Sequence, residues 1–194
     1  MKPIDYITTL LKESYRIIVY PGNHWRSVKD SKDLLNNSWV RFYVPGLLLA
    51  FLAVMIGDLI FESEYGFLLM DTIIKASRKV VVLGLLLLAS NMIIYEISRI
   101  FHVPVSYEDS RKIASYSMLP VLISTIITSL FPFMDIIGIL AFYSLYLVYS
   151  ALHNLYGIDI KRQINYIAIL LSMLFLAFAL IALLMTKLTA LIIY

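Results

Sequence analysis

No cysteine occurs among the 194 residues. Disulfide frameworks and thiol chemistry are therefore excluded, and cysteine usage leaves the redox compartment open. Charge is the second scarcity. Charged residues make up 15% of the chain and apolar residues 61%, whereas a soluble domain carries about 25% charged residues and under half apolar ones. One water-soluble core cannot enclose that much apolar surface, so the bilayer must be part of the solvent. No polar block is long enough to fold separately, which leaves one membrane domain. The first forty residues lack a short apolar core ending in a small-residue cleavage site, so no signal peptide is expected.

Catalytic and metal signatures are also missing. Neither H-E-x-x-H nor G-x-S-x-G occurs, which removes the zinc-protease helix and the nucleophile elbow. The "IGD" around Asp58 shares part of the G-x-G-D of intramembrane aspartyl proteases, but lacks the first glycine and a partner aspartate within another span. His24, His102 and His153, with Glu108, Asp109 and Asp159, show no ligand spacing. Gly-rich phosphate loops and inverted repeats are absent. The chain therefore reads as non-enzymatic, with no catalytic residue, metal or cofactor.

What is present is long apolar runs. A helix needs about 20 apolar residues to cross about 30 Å of hydrocarbon, and five stretches qualify, near 42–61, 80–100, 113–132, 134–153 and 165–186. The expected fold is all-α, a polytopic bundle of five transmembrane helices, because helices satisfy their own backbone in lipid. Twelve Lys and Arg fall on one side of this arrangement and four on the other. The positive-inside rule then places the amino terminus in the cytoplasm and the carboxyl terminus outside. The basic residues follow the membrane topology, and no nucleic-acid partner is expected.

Residues 1–40 read as a cytoplasmic segment preceding a five-span domain at 41–194. Ile4, Ile7, Leu11, Tyr15 and Ile18 recur at helical spacing opposite Lys2, Asp5, Lys12 and Arg16, as in a helix lying on the inner membrane surface or against a partner. Pro21-Gly22 is expected to end that helix, and the stretch from Pro21 to Ser38 to form a loop. Trp25, Arg26 and Lys29 in it are candidates for a cytoplasmic partner surface. "FPFMD", residues 131–135, leaves so few residues between the third and fourth spans that they must form an antiparallel hairpin.

Ionisable and hydroxyl groups inside spans are costly and are functional candidates by default. Asp58 lies near the outer end of the first span, within reach of Lys75 or Lys79. Glu96 lies three residues before Arg99, on the same face. Asn91 is deeper and reads as an interhelical hydrogen bond. Tyr116, Pro120, Ser124 and Thr128 form an every-fourth-residue line on the third span. Tyr143, Tyr146, Tyr149, His153 and Tyr156 form another on the fourth. Two readings stay open. The lines are structural glue between helices, or they edge a groove for a lipid headgroup or small molecule, lined by Glu96, Arg99, Tyr116, Pro120, Ser124, Tyr143, Tyr146, Tyr149 and His153. Small residues on the last span, Ala168, Ser172, Ala179 and Ala182, allow close helix contact and a homo-oligomer.

"YPGNHWRSVKD", "YVPGLLLAFL", "ASYSMLP", "SLFP" and "YSLYLVYSALHNLYG", in that order, resemble the Yip-domain family of five-span membrane proteins. The resemblance covers roughly residues 15–185 and rests on Pro21, Trp25, Pro45, Tyr116, Pro120, Pro132, Tyr146 and Tyr149. It implies five spans and a cytoplasmic amino terminus. Its eukaryotic members are trafficking adaptors that bind Ypt/Rab GTPases and one another. This chain lacks their long polar amino-terminal region and the D-L-Y-G-P-type motif near their first span. It is more similar to the short bacterial members, for which a Rab partner is not implied. The resemblance points to a membrane-embedded adaptor or scaffold in the cytoplasmic (inner) membrane. The alternative is a lipid or small-molecule binder or carrier working between the third and fourth spans.

Overall fold

The computed structural model describes residues 12, 14–30, 43–61, 69–159, 161 and 164–193. The helices are α1 (Pro21–Asp30), α2 (Val44–Phe61), α3 (Leu69–Ile100), α4 (Tyr107–Ser117), α5 (Leu119–Leu130), α6 (Leu140–Tyr156) and α7 (Ile164–Ile193), with a 3-10 stretch at Pro132–Ile139. There is no strand among the described residues. Five segments are long and apolar enough to cross a membrane: Val44–Phe61, Leu69–Ile100, Tyr107–Leu130, Pro132–Tyr156 and Ile164–Leu188. They overlap the five expected spans, the second beginning at Leu69 rather than near 80 and the third at Tyr107 rather than near 113.

The spans are not equivalent, and composition explains why. The third carries Ser, Thr and Pro, and 67% of its most apolar window is buried. The last is almost wholly aliphatic and aromatic, and only 17% of its window is buried. A helix with hydroxyls and a broken backbone is costly to leave in lipid, so it takes the centre of the bundle. A Leu- and Phe-rich helix loses nothing at the periphery. Accordingly α4–α5 is surrounded by α2, α3 and α6, while α7 packs mainly on α3.

The third span is two helices meeting at Met118. Pro120 has no N–H to give the Tyr116 carbonyl, so the α-helical ladder is interrupted there. At the start of α4, Ser106 is the N-cap and its Oγ accepts from the Asp109 N–H at 3.0 Å. The Ser106 hydroxyl donates to Asp109 Oδ2 at 2.8 Å, so cap and carboxylate hold each other. The third and fourth spans do form a hairpin, with α5, the 3-10 stretch and α6 packed together. The fourth span opens as 3-10 rather than α-helix because Pro132 and the kink at Met134 tighten its first turns. Gly157, at φ +68°, ends α6; only glycine adopts that conformation without strain.

The expectation of a loop from Pro21 is corrected: Pro21–Asp30 is helical. Pro21 occupies the first helical position, where its fixed φ suits a helix and its missing N–H has no partner to lose. Pro21, His24 and Trp25, spaced three and four residues apart, are all buried, so α1 has an inward face. Residues 14–19 are helical as well. Ile4, Ile7 and Leu11 of the expected amphipathic face, and the boundary at residues 40 and 41, lie outside the described residues.

Candidate functional site

The nine residues expected to line a groove are distributed over four places. Glu96 and Arg99 pair at 2.9 Å on the C-terminal part of α3, with both side chains substantially exposed; such a pair contributes little to stability. Tyr116 is buried against α1. Its ring meets His24 at 5.1 Å and Trp25 at 5.8 Å between centroids, and His24 and Trp25 lie 5.5 Å apart, all edge to face. Burial of the imidazole, reinforced by the positive charge of Arg16, holds the His24 pKa down to about 4 from its ordinary 6.5. Pro120 and Ser124 are buried at the centre of the bundle, with the Ser124 hydroxyl donating to the Val121 carbonyl at 2.9 Å.

The stripe on α6 turns toward the amino-terminal segment. Tyr143 donates to the Ile18 carbonyl at 2.8 Å, Tyr149 stacks on His153, and His153 Nδ1 donates to the Ile158 carbonyl at 2.7 Å beyond the helix end. Tyr146 stays 49% exposed. Of the residues proposed for a partner surface, Trp25 is fully enclosed. Arg26 is exposed, with Nε donating to Asn154 Oδ1 at 3.3 Å. Lys29 lies in α1, its side chain outside the description.

Of two cavities between the described helices, neither is lined by any of the nine. The larger, of about 390 Å³, is bounded by α2, α3, α5 and α7. Helical spacing explains its composition. Lys75, Arg78, Lys79, Val82 and Leu86 share one face of α3; Val121, Thr125 and Thr128 share one of α5; Phe178, Ala182 and Thr186 share one of α7; Val54 and Asp58 come from α2. Cations and hydroxyls thus gather at one end of the chamber and apolar groups at the other. Lys75 Nζ lies 3.4 Å from Asp58 Oδ2, an ion pair. Lys79 donates to Ser129 Oγ and Arg78 to Thr186 Oγ1, each at 2.9 Å. No described carboxylate lies within ion-pair distance of Arg78 or Lys79. Asp58 and Asp135 act on Lys79 only from farther off, and counting both, the described residues of the cluster stay net positive.

The second cavity, of about 160 Å³, does open between the third and fourth spans, shared with α3 and α7, but its lining is apolar apart from Ser90 and Ser144. Leu86, Val121 and Phe178 line both cavities, so the two adjoin. Ser144 is 3% exposed, and its Oγ has no hydrogen-bond partner among the described residues. A buried hydroxyl left unpaired is uncommon. Toward lipid, the chamber is bordered by Phe142 and Phe175, stacked at 6.3 Å between centroids and each more than half exposed.

The sequence places Lys75 and Lys79 within reach of Asp58 but does not mark them as part of a cavity. The signal that could have found the site was the i, i+3, i+4 spacing of Lys75, Arg78 and Lys79, running without a break into Val82 and Leu86 on the same face.

These features define an all-helical, multi-pass integral membrane protein. Residues 15–183 match the Yip1 domain, and the chain belongs to that family. Neither the curated proteins nor the solved structures contain a match to it.

Proposed function

We propose that this chain is a non-enzymatic membrane protein that holds a single amphiphilic molecule, a lipid, between its helices. The observation that carries this reading is the junction at Leu86, Val121 and Phe178, where a cation- and hydroxyl-lined chamber adjoins an apolar one. A polar head and an apolar chain need those two environments side by side. From Lys79 to Ser90 along α3 is about 16 Å at 1.5 Å per residue, close to the depth of one leaflet. A bound lipid would keep the orientation it has in the bilayer and enter past Phe142 and Phe175. The test uses delipidated protein and monopalmitoyl glycerol, with bound ligand counted by native mass spectrometry. Ala177, which lines the apolar chamber, is changed to Phe to fill it. Binding by the wild type that falls at least tenfold in Ala177→Phe is the expected result. Equal binding by both proteins excludes this chamber.

The adaptor reading has one observation of its own. Burial of His24 and Trp25 docks α1 on the bundle and leaves Asn23, Arg26 and Ser27 facing outward. If that face recognises a protein, Arg26→Glu abolishes partner recovery without lowering the unfolding temperature. Unchanged recovery removes α1 from the contact.

A further inference from the structure

Resting on the amphiphile reading above, we infer that the lipid carries a phosphate in its headgroup, held by Arg78 and Lys79, with an acyl ester oxygen accepting from Ser144. Three independent features lead there. The first is charge. Among the described residues, Lys75, Arg78 and Lys79 line one chamber with a single carboxylate, Asp58, and that carboxylate is engaged by Lys75. Arg78 and Lys79 are held in place by hydroxyls, which orient a cation without neutralising it. A guanidinium beside an ammonium suits an oxyanion with several acceptor oxygens, the guanidinium matching two of them at once.

The second feature is the low-dielectric wall. Val54, Val82, Leu83, Leu86, Val121 and Phe178 close the inner end of the same chamber, and a charge pair there is screened less than at an open surface. An uncharged headgroup would leave Arg78 and Lys79 with no carboxylate at ion-pair distance among the described residues.

The third feature is the orphaned Ser144 hydroxyl. It lines the same apolar chamber as Val121 and Leu86 of the junction, the chamber that would hold the acyl chain and its ester linkage. A pure hydrocarbon leaves Ser144 unpaired; an ester carbonyl gives its proton an acceptor. Free inorganic phosphate shares the headgroup's chemistry but uses neither the apolar chamber nor Ser144, so the proposal commits to the lipid.

The experiment compares three probes on delipidated, full-length protein in uncharged detergent: palmitoyl glycerol phosphate, monopalmitoyl glycerol and inorganic phosphate. The expected result is at least tenfold tighter binding of the phosphate-bearing lipid than of monopalmitoyl glycerol. That preference should shrink as salt is raised, and it should be lost in Arg78→Gln/Lys79→Gln. The double variant should bind monopalmitoyl glycerol as the wild type does, which shows that it is folded. If that variant fails to fold, the wild-type salt dependence tests the inference without it. In Ser144→Ala, both lipids should bind severalfold more weakly, while their ratio is kept. Equal wild-type affinity for the two lipids, or a preference insensitive to both salt and the double variant, overturns the phosphate assignment and leaves the amphiphile reading standing. Absence of binding by either lipid overturns both. Inorganic phosphate binding as tightly as the phospholipid overturns the lipid as ligand.

Discussion

Gly57 of α2 lies directly on the backbone of Ser129 in α5: a Cβ placed on Gly57 would sit 1.9 Å from the Ser129 carbonyl oxygen. The obstacle is a helix backbone, which cannot step aside. The same residue, Ser129, accepts from Lys79, which lines the cationic chamber. Gly57→Ala should therefore cost about 3 kcal/mol or block assembly, at the upper end for overpacking. Gly46→Ala should cost less, because its Cβ would meet only the side chain of Leu122. Gly84→Ala, with nothing within 4 Å, should be neutral or stabilising by up to about 1 kcal/mol from helix propensity. Unfolding of the three variants in detergent measures this order, and a Gly57→Ala protein as stable as Gly84→Ala contradicts the close contact.

The docking of α1 should depend on pH through His24. Its folded pKa, about 4, lies below the ordinary 6.5. The neutral ring therefore stabilises the docked state fully above about pH 6.5, and that contribution is lost as pH falls toward 4. In a Trp39→Phe background, Trp25 fluorescence should shift toward that of a solvated indole between pH 6.5 and 4. The shift should be absent in His24→Phe. A spectrum constant over that range would mean that the imidazole is not held neutral.

Tyr143 gives a local prediction. Its hydroxyl donates to the Ile18 carbonyl, so Tyr143→Phe removes a tether of the amino-terminal segment and nothing inside either cavity. Proteolysis between residues 12 and 20 should accelerate severalfold, while lipid binding and global unfolding change little. Loss of lipid binding in this variant would return the tyrosine to the binding site.

Tyr43 is buried, and its hydroxyl donates to the Leu83 carbonyl at 2.7 Å. Tyr43→Phe should cost about 1 kcal/mol at neutral pH, the usual worth of such a bond. Denaturant unfolding at pH 7 measures it, and a Tyr43→Phe protein of wild-type stability would show the bond to be idle.

Sequence alone determined the number of spans, the hairpin of the third and fourth, and the family, because length and hydropathy act residue by residue and survive any rotation of the helices. It also marked Asn91 as an interhelical partner, and Asn91 Oδ1 accepts from Ser110 at 2.6 Å. What it left open was which face of each helix meets which neighbour. Tyr143 and Ser124 lie on adjacent spans, yet one turns to Ile18 and the other to its own backbone. Lys79 and Ser129, fifty residues apart, meet in a hydrogen bond. Periodicity defines a stripe on a helix but not the direction in which it points. That direction is set by packing, and the polar third span, enclosed because lipid cannot satisfy it, turned the stripes of α2, α3, α5 and α7 toward one another.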